Sequence, residues 1–375
     1  MLDNYQRTNE SKTNLTVADF CNIIASNQHK DKEYYLSVAQ QLEQLEVSAD
    51  TTVKLIQSII NNKKLKEISL AAYDTVEGRM DINDVRNLFT EFLSTEETVE
   101  QDNDIEFSTD NLEELLSNTI STPGLRWRLN SLNRMLGSLR KSDFGFIFAR
   151  PETGKTTFLA SEVTYMAEQL GEEDGPILWI NNEGESDKVK VRCYQASLGA
   201  TLAQVRSDPV GIQEAFLART KGKLKIIKNK PIIHKNEIEK LCKKLKPSLI
   251  IVDQIDKIVG FDDDRNDLRL GKVYQWFRTL AANYAPVIAV CQADGSGEGV
   301  KWLTMSNVAD AKTSKQAEAD WILGIGCTHD AGYEAIRYLH ASKNKLMGDD
   351  DSDPQLKHGK VEVIIEPHIA RYKDI

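Results

Sequence analysis

The chain contains few of the residues that mark secreted, zinc-stabilised or membrane proteins. Only five of its 375 residues are cysteines, they lie far apart, and none forms a C-x-x-C pair. A disulfide framework or a zinc site is therefore not expected. No apolar run approaches the ~20 residues that a membrane span requires, and the N-terminus lacks a charged-then-apolar signal pattern. We expect a cytoplasmic protein that does not enter a membrane.

Positive charge is also scarce, because the formal net charge is −10. This balance argues against a broad nucleic-acid-binding surface but is compatible with a small basic channel. No Lys or Arg occurs between Arg86 and Arg126, and residues 94–110 have the composition of a solvated acidic linker. We therefore predict a helical N-terminal region over 1–93, an acidic linker over 94–119 and a larger domain over 120–375.

The N-terminal region shows apolar residues at helical spacing in three segments, namely Tyr34–Leu45, Val53–Leu65 and Asp81–Leu93. No catalytic constellation accompanies them. A helical collar or partner-docking region is the favoured interpretation, and a plain structural cap is the alternative.

The larger domain alternates short apolar runs with amphipathic segments. This alternation predicts an α/β fold with a central, mainly parallel sheet covered on both faces. The final runs lack intervening helices, so an antiparallel edge is expected there. The predicted strands cover residues 144–148, 177–180, 224–227, 249–252, 287–290, 321–325, 336–341 and 361–365.

The clearest motif is a phosphate-binding loop between the first of these strands and a helix that begins at Gly154. In this context backbone N–H groups surround phosphates, the lysine contacts the β- and γ-phosphates, and the following hydroxyl reaches Mg²⁺. Lys155 and Thr156 have these two positions, and ATP is the expected ligand. The predicted loop comprises Ala149, Arg150, Pro151, Glu152, Thr153, Gly154, Lys155, Thr156 and Thr157.

A second carboxylate for Mg²⁺ is predicted at Asp253, which ends the apolar run 249–252. A carboxylate at the carboxyl end of such a strand faces the crevice where α/β sheets bind ligands. Hydrolysis also requires a group that orients or activates water. Glu183, just after the run 177–180, is the favoured candidate, with Glu185 and Asp256 as alternatives.

Together these segments resemble the DnaB-like replicative helicases, a RecA-fold family of bacteria and their phages. The resemblance covers roughly residues 120–375 and includes the Ala149-Arg150-Pro151 start of the phosphate loop. In RecA-like ATPases the catalytic glutamate follows the strand next to the phosphate-loop strand, which favours Glu183. The family's globular N-terminal domain is not evident in this sequence, which makes a phage-type member plausible.

The resemblance also implies roles outside the phosphate loop. Gln292 matches the glutamine sensor that relays nucleotide state, and Lys343 and Lys345 match the lysine and arginine finger that reach a neighbouring subunit's nucleotide. Lysine at position 345 keeps the charge but lacks the planar fork of arginine. Arg371 and Tyr372 match a closing pair that packs near the nucleotide base.

The activity implied is ATP-dependent unwinding of DNA by a homohexameric ring that translocates on single-stranded DNA, with 5′ to 3′ direction and primase or other replisome proteins as partners. Basic residues in two pore loops would hold the strand through its phosphates. Two other classes stay open: a RecA-like recombinase filament, and a non-motor nucleotide-binding regulator or helicase loader. The predicted DNA contacts are Arg265, Arg269, Lys301, Lys312 and Lys315.

Overall fold

A computed structural model describes residues 49–99, 111–116, 124–228, 230–261 and 263–375. The chain divides into two compact units, Met1–Ser108 and Thr109–Ile375. Within the described residues, no helix is long and apolar enough to cross a membrane. The predicted boundaries 1–93, 94–119 and 120–375 stay a prediction.

The smaller unit contains two long helices that contact each other, α1 (Ala49–Val76) and α2 (Ile82–Val99). A turn with a left-handed glycine, Gly78, joins them, and the Asp81 carboxylate accepts from the N–H of Asn83 (2.7 Å) at the start of α2. The predicted helices over 53–65 and 81–93 are confirmed, whereas the one over 34–45 lies outside the described residues. Helix α2 continues through 94–99, which sequence analysis had assigned to the linker.

The larger unit contains the α/β domain. Its helices are α3 (Leu112–Leu116), α4 (Asn130–Leu136), α5 (Lys155–Gln169), α6 (Ser186–Leu198), α7 (Leu202–Ser207), α8 (Pro209–Thr220), α9 (Lys235–Leu245), α10 (Asn266–Asn283) and α11 (Lys312–Glu318). Its strands are β1 (Phe144–Ala149), β2 (Ile177–Asn181), β3 (Leu224–Ile226), β4 (Ile233–His234), β5 (Leu249–Asp253), β6 (Ile258–Val259), β7 (Val287–Gln292), β8 (Trp321–Gly326), β9 (Ile336–Asn344), β10 (Lys360–Glu366) and β11 (Arg371–Asp374).

Nine of these strands form one sheet in the order β11-β10-β9-β8-β1-β7-β5-β2-β3. The six strands from β8 to β3 are parallel, and β9, β10 and β11 form an antiparallel edge beyond β8. The mainly parallel sheet and its antiparallel edge are thus confirmed. Three short strands, β4, β6 and β11, were missed because two to four residues carry too little periodicity.

The sheet separates two apolar layers because successive side chains of a strand point to opposite faces. In β1, Ile147 and Ala149 pack with helices α5, α6 and α8, whereas the three phenylalanines pack with α9 and α10. Every residue of β1 is buried. A strand covered on both faces needs apolar residues at every position, which explains its continuous apolar run.

The strand order corrects one expectation about the site. Strand β2, which precedes Glu183, does not lie next to the phosphate-loop strand β1, because β7 and β5 separate them. It lies next to β5 instead, with Asn181 opposite Asp253. The crossover connections of a parallel sheet decide strand neighbours, and they cannot be deduced from strand sequences alone.

Gly145 of β1 shows how closely the two sides of this core fit. A Cβ there would lie 2.1 Å from Cε2 of Trp321, a buried ring that packs edge-on against Trp127 with centroids 5.5 Å apart. We predict that Gly145→Ala lowers the free energy of unfolding by about 1–3 kcal/mol, as overpacking of a core does.

Urea unfolding followed by tryptophan fluorescence measures this, because all five tryptophans lie in the larger unit. Gly295→Ala is the matched control, since a Cβ at Gly295 meets nothing within 4 Å. Equal stability of the two variants would contradict the prediction.

Candidate functional site

The predicted phosphate loop lies at the carboxyl end of β1 and ends where α5 begins. Gly154 caps α5 with a left-handed backbone, φ 106°. A Cβ there would come within 2.7 Å of Ile365 Cδ1 and 2.8 Å of the Tyr372 hydroxyl. Only glycine fits this close approach and this φ. The first N–H groups of α5 therefore open onto the loop, as in an anion-binding helix terminus.

Lys155, the first residue of α5, has its ammonium inside the loop. Its Nζ donates to the carbonyl oxygens of Ala149 (3.1 Å) and Arg150 (3.0 Å). Burial lowers the pKa of Lys155, and the nearby carboxylates of Glu183 and Asp253 oppose that shift. The ammonium is thus placed where it can exchange loop carbonyls for oxygens of a bound anion.

The remaining loop residues differ in exposure. Thr156 and Thr157 are half-buried in the first turn of α5, Ala149 and Thr153 are buried, and Pro151 and Glu152 are exposed. Glu152 also has a left-handed backbone, φ 63°. The Thr156 hydroxyl therefore lies in the helix turn that faces the loop, as predicted for a metal-binding hydroxyl.

Two residues from the antiparallel edge hold the loop from one side. Arg337 on β9 donates from Nε to the Thr153 carbonyl (2.7 Å), and the Tyr372 hydroxyl on β11 donates to the Gly154 carbonyl (3.3 Å). The Tyr372 ring also packs edge-on against Phe158 of α5, with centroids 5.3 Å apart. Sequence analysis missed Arg337, because no motif precedes it and only strand pairing brings it to the loop.

Asp253 ends β5 at the same edge of the sheet, one strand beyond β7. The residue is only 2% exposed, and no described residue donates a hydrogen bond to its carboxylate. Burial raises the pKa of Asp253 to about 7, and Glu183 raises it further while Lys155 opposes the shift. Asp253 and Lys155 thus lie within electrostatic reach of each other, as the motif assignment requires.

A buried carboxylate without a donor is costly unless a cation neutralises it. Within the described residues, no cluster of three or more His, Cys, Asp or Glu could hold a metal by itself. Mg²⁺ fits this arrangement, because it keeps several waters and is held by one or two protein oxygens together with substrate phosphates. Asp253 and the Thr156 hydroxyl are the residues present for such a site.

Asn182 fixes the end of β2 against the end of β5. Its amide donates to the Gln254 carbonyl (2.9 Å) and accepts from the Gln254 N–H, while its own N–H donates to the Asp253 carbonyl (2.8 Å). Glu183, the next residue, is therefore held beside Asp253. Its carboxylate is 40% exposed and lies 3.8 Å from Nζ of Lys257.

The two alternatives to Glu183 lie elsewhere. Glu185 is 66% exposed and pairs with Lys188 (3.2 Å). Asp256 accepts from the Lys315 ammonium (2.7 Å) and from the Tyr274 hydroxyl (3.2 Å), so both of its oxygens are engaged. Of the three carboxylates, only Glu183 contributes to the pKa shifts of both Lys155 and Asp253.

Lys315 is corrected as a DNA contact. Its side chain is 0% exposed, because it pairs with Asp256, donates to the Ala309 carbonyl (2.9 Å) and lies 5.4 Å from the centroid of the Tyr274 ring. A buried ammonium with these partners cannot reach a strand. It joins the turn after β5 to the loop before α11 instead.

Gln292 ends β7 beside the phosphate loop, in register with Ala149. The chain that follows is tied to the loop by Arg150, which donates to Glu298 (2.9 Å) and to the Ala293 carbonyl (3.1 Å). His329 lies 3.0 Å from the other oxygen of Glu298. The glycine-containing segment 295–299 is therefore anchored directly on the phosphate loop.

The other predicted DNA residues lie at or near the surface. Arg265 is 69% exposed and pairs with Asp267 (2.7 Å), and Lys312 pairs with Asp294 (2.6 Å). Lys301 lies 3.7 Å from Asp330 and stacks over the Tyr333 ring at 5.1 Å. Arg269 is half-buried and donates to the Asp256 carbonyl (3.3 Å). All four carry polar partners that a phosphate could replace.

Lys343 and Lys345 lie at the opposite edge of the sheet from the phosphate loop. The Lys345 N–H donates to the Asp320 carbonyl (2.8 Å), and the Asp320 N–H donates to the carbonyl of Phe144, the first residue of β1 (2.6 Å). At roughly 3.3 Å per strand residue, this level is roughly 16 Å from the end of β1. Lys345 is exposed, whereas the Lys343 ammonium donates to the Gln316 and Ala317 carbonyls at the end of α11.

Arg371 and Tyr372 support the site from below. Tyr372 is 2% exposed, so its ring has no free face for a nucleotide base, and burial raises its pKa well above its usual value. Arg371 donates to the Ala196 and Ser197 carbonyls near the end of α6. Their expected packing against a base is therefore corrected to support of the loop and of α6.

Comparisons with known proteins agree with this architecture. Residues 111–294 match a family model described as AAA domain. A solved structure of a separate "ATPase Domain" aligns with a TM-score of 0.57 and 16% identity, over 72% of this chain and 100% of that one. A structure described as "a DnaB-Like Replicative Helicase And Its Interactions With Primase" aligns with a TM-score of 0.58 and 15% identity, over 94% of this chain and 81% of that one. No curated protein sequence gives a significant match.

The resemblance expected from the motifs is thus confirmed at the level of the fold. Residues 111–294 match an AAA domain, and the chain has the RecA-like NTPase fold of DnaB-like helicase ATPase domains.

Proposed function

We propose that the protein is an ATP-driven replicative DNA helicase that translocates on single-stranded DNA as a homohexameric ring. The observation that carries the proposal is the meeting of Lys155, Asp253 and Glu183 at one edge of the sheet, where Glu183 contributes to the pKa shifts of the other two. An ammonium, a buried carboxylate and a half-exposed glutamate are the groups that phosphate binding, metal binding and water activation require.

In this proposal the triphosphate lies in the loop, where N–H groups of α5 and the Lys155 ammonium face its β- and γ-phosphates. Asp253 and Thr156 hold Mg²⁺, which supplies charge neutralisation between the phosphates when bound. Glu183 orients and deprotonates the attacking water, with the Lys257 ammonium beside its carboxylate. Gln292, at the end of β7, is within the same edge and senses the γ-phosphate.

The placement of Lys345 supports a multisubunit site. A residue roughly 16 Å from the loop along the strands cannot reach the nucleotide of its own chain. It can reach that of a neighbour if the copies contact head to tail, which is the heterologous interface that closes into a ring. Lys345 is exposed and therefore free to do so.

The contact between Arg150 and Glu298 supports coupling of nucleotide and strand. It links the phosphate loop to the segment 293–315, whose Lys301 and Lys312 are proposed to hold the strand together with Arg265 and Arg269. A change in the loop on hydrolysis would move this segment, as translocation needs. We extend the proposal to 5′ to 3′ movement, a phage-type source, and primase or other replisome partners, with the helical N-terminal region as the docking part.

Strand displacement on forked duplexes with each tail polarity tests the whole proposal. Unwinding that needs ATP and a 5′ tail would support it. A helical filament on DNA in negative-stain images, without unwinding, would favour the recombinase alternative. ATP turnover that single-stranded DNA leaves unchanged would favour the regulator or loader.

We predict that Lys155→Ala and Glu183→Gln each reduce ATP turnover, and that Glu185→Gln does not. Loss of a group that stabilises or activates in the transition state costs ~10²–10³ in rate. Steady-state phosphate release on the three purified variants measures this. Turnover by Lys155→Ala at the unaltered rate would refute the loop assignment, and a larger loss in Glu185→Gln than in Glu183→Gln would exchange the two glutamates.

We predict that Lys345→Ala reduces turnover and that mixing it with Lys155→Ala restores activity. At mixed interfaces of one orientation, the first variant supplies an intact phosphate loop and the second supplies an intact Lys345. Phosphate release from co-refolded mixtures, compared with each variant alone, measures the rescue. Absence of rescue, with mixed oligomers present by mass, would place Lys345 in its own chain's chemistry or outside it.

We predict that Glu298→Gln keeps basal turnover but weakens its stimulation by single-stranded DNA about fivefold or more, the lower range of allosteric coupling. The charge-swapped variant Arg150→Glu/Glu298→Arg would recover part of the stimulation if the contact itself transmits the signal. Glu334→Gln, an exposed glutamate on the neighbouring loop, is the control. Full stimulation in Glu298→Gln would rule out this route.

A further inference from the structure

One segment of this acidic chain is strongly basic. Residues 221–246 contain ten lysines and two glutamates, a formal charge of +8, whereas the whole chain carries −10. The segment covers β3, β4, α9 and the turns around them. None of its residues was assigned to the nucleotide site or to the two predicted DNA loops.

Four of these lysines form one exposed surface, which we call the lysine face: Lys225, Lys228, Lys240 and Lys244. Lys225 lies on β3, the outermost strand, opposite Leu178 of β2, whose side chain belongs to the layer covered by α9. In α9 the buried positions are Ile238 and Cys242, so Lys240 and Lys244, one helical turn apart, point outward together.

The other lysines of the segment mostly have structural partners. Lys221 and Lys223 donate to backbone carbonyls after α5, at Leu170 (2.6 Å) and Asp174 (2.6 Å). Lys230 pairs with Glu237 (2.6 Å) and Lys243 with Glu239 (3.2 Å). These pairings use both glutamates of the segment.

The lysine face, by contrast, makes no ion pair with any residue that the structure describes. Lysine on an edge strand often serves to block strand pairing, which would account for Lys225. It does not account for Lys240 and Lys244, which lie on a helix. Four uncompensated ammonium groups on flexible stems suit a ligand with closely spaced negative charges and no fixed geometry.

We infer that the lysine face binds the phosphodiester backbone of a nucleic acid strand, without reading its sequence. This inference rests on the proposed function and deepens it, because it adds a second contact to the strand-holding loops. The two contacts are separate: β5 and β2 lie between β7, which precedes the loop 293–315, and the edge strand β3. One chain could thus hold two stretches of DNA at once, one at the loops and one along the outer edge of the sheet.

The test compares two fourfold variants of the full-length chain with equal charge change. The first is Lys225→Gln/Lys228→Gln/Lys240→Gln/Lys244→Gln. The control is Lys66→Gln/Lys141→Gln/Lys357→Gln/Lys373→Gln, whose lysines are also exposed. Fluorescence anisotropy with a labelled oligo-dT strand, long enough to span both contacts, is measured over a series of salt concentrations.

We expect the first variant to bind at least tenfold more weakly at low salt, and the slope of log K against log salt to fall by about 0.7 per contacted phosphate, up to about 3 for four lysines. The control should bind as the unmodified chain does, although it carries the same net charge as the first variant. Tryptophan fluorescence during urea unfolding shows whether both variants stay folded, and exposed lysines should leave it unchanged.

Equal affinities and slopes for the two variants would overturn the inference. So would normal DNA binding by the first variant combined with loss of self-association in sedimentation, because the face would then hold an acidic protein surface of another copy. Stimulation of turnover by the same strand separates this inference from the proposed function. A salt-slope difference without stimulation would leave the lysine face standing and remove the motor, and stimulation without the slope difference would do the reverse.

Discussion

The Lys155 ammonium and the Asp253 carboxylate, brought together at the carboxyl ends of β1 and β5, are the interaction on which the rest of the site depends. Neither charge is well hydrated, and each shifts the pKa of the other toward its ionised form. Burial works against both charges, so the pair is poised to gain from a ligand that brings phosphates and a cation together. The parallel sheet makes this possible, because its carboxyl ends meet along one edge.

Most of the surrounding structure positions these two groups. Asn182 joins the ends of β2 and β5 and thereby sets Glu183 beside them. Arg337 and Tyr372, from the antiparallel edge, hold carbonyls of the phosphate loop, and Arg150 ties the same loop to the segment after β7. The loop is thus connected on one side to strands that only support it, and on the other to a segment with exposed cations. That asymmetry is what a motor that converts phosphate chemistry into movement of a strand would need.

Charge is distributed in the chain according to the same logic. Cations near the site are paired with carboxylates, as Lys312 with Asp294 and Lys257 with Glu183, so that they become available only when a stronger anion arrives. Buried Lys315 has lost that freedom, because its pair with Asp256 is enclosed by Tyr274. The lysine face is the contrasting case, in which ammonium groups are exposed and have no described ion-pair partner. The net charge of −10 therefore conceals local surfaces of opposite sign.

The sequence by itself determined the alternation of strands and helices, the phosphate loop, and the identities of Lys155, Thr156, Asp253 and Glu183. Each of these follows from local order along the chain, since a strand, a tight turn and a helix N-terminus are adjacent in sequence. Only the tertiary structure decided which strands are neighbours, and hence that β2 adjoins β5 and that Arg337 and Tyr372 reach the loop. It also decided that Asp256 and Lys315 pair with each other, because burial and pairing between segments 59 residues apart leave no local pattern. Crossover connections and side-chain packing are non-local, so no periodicity or motif records them.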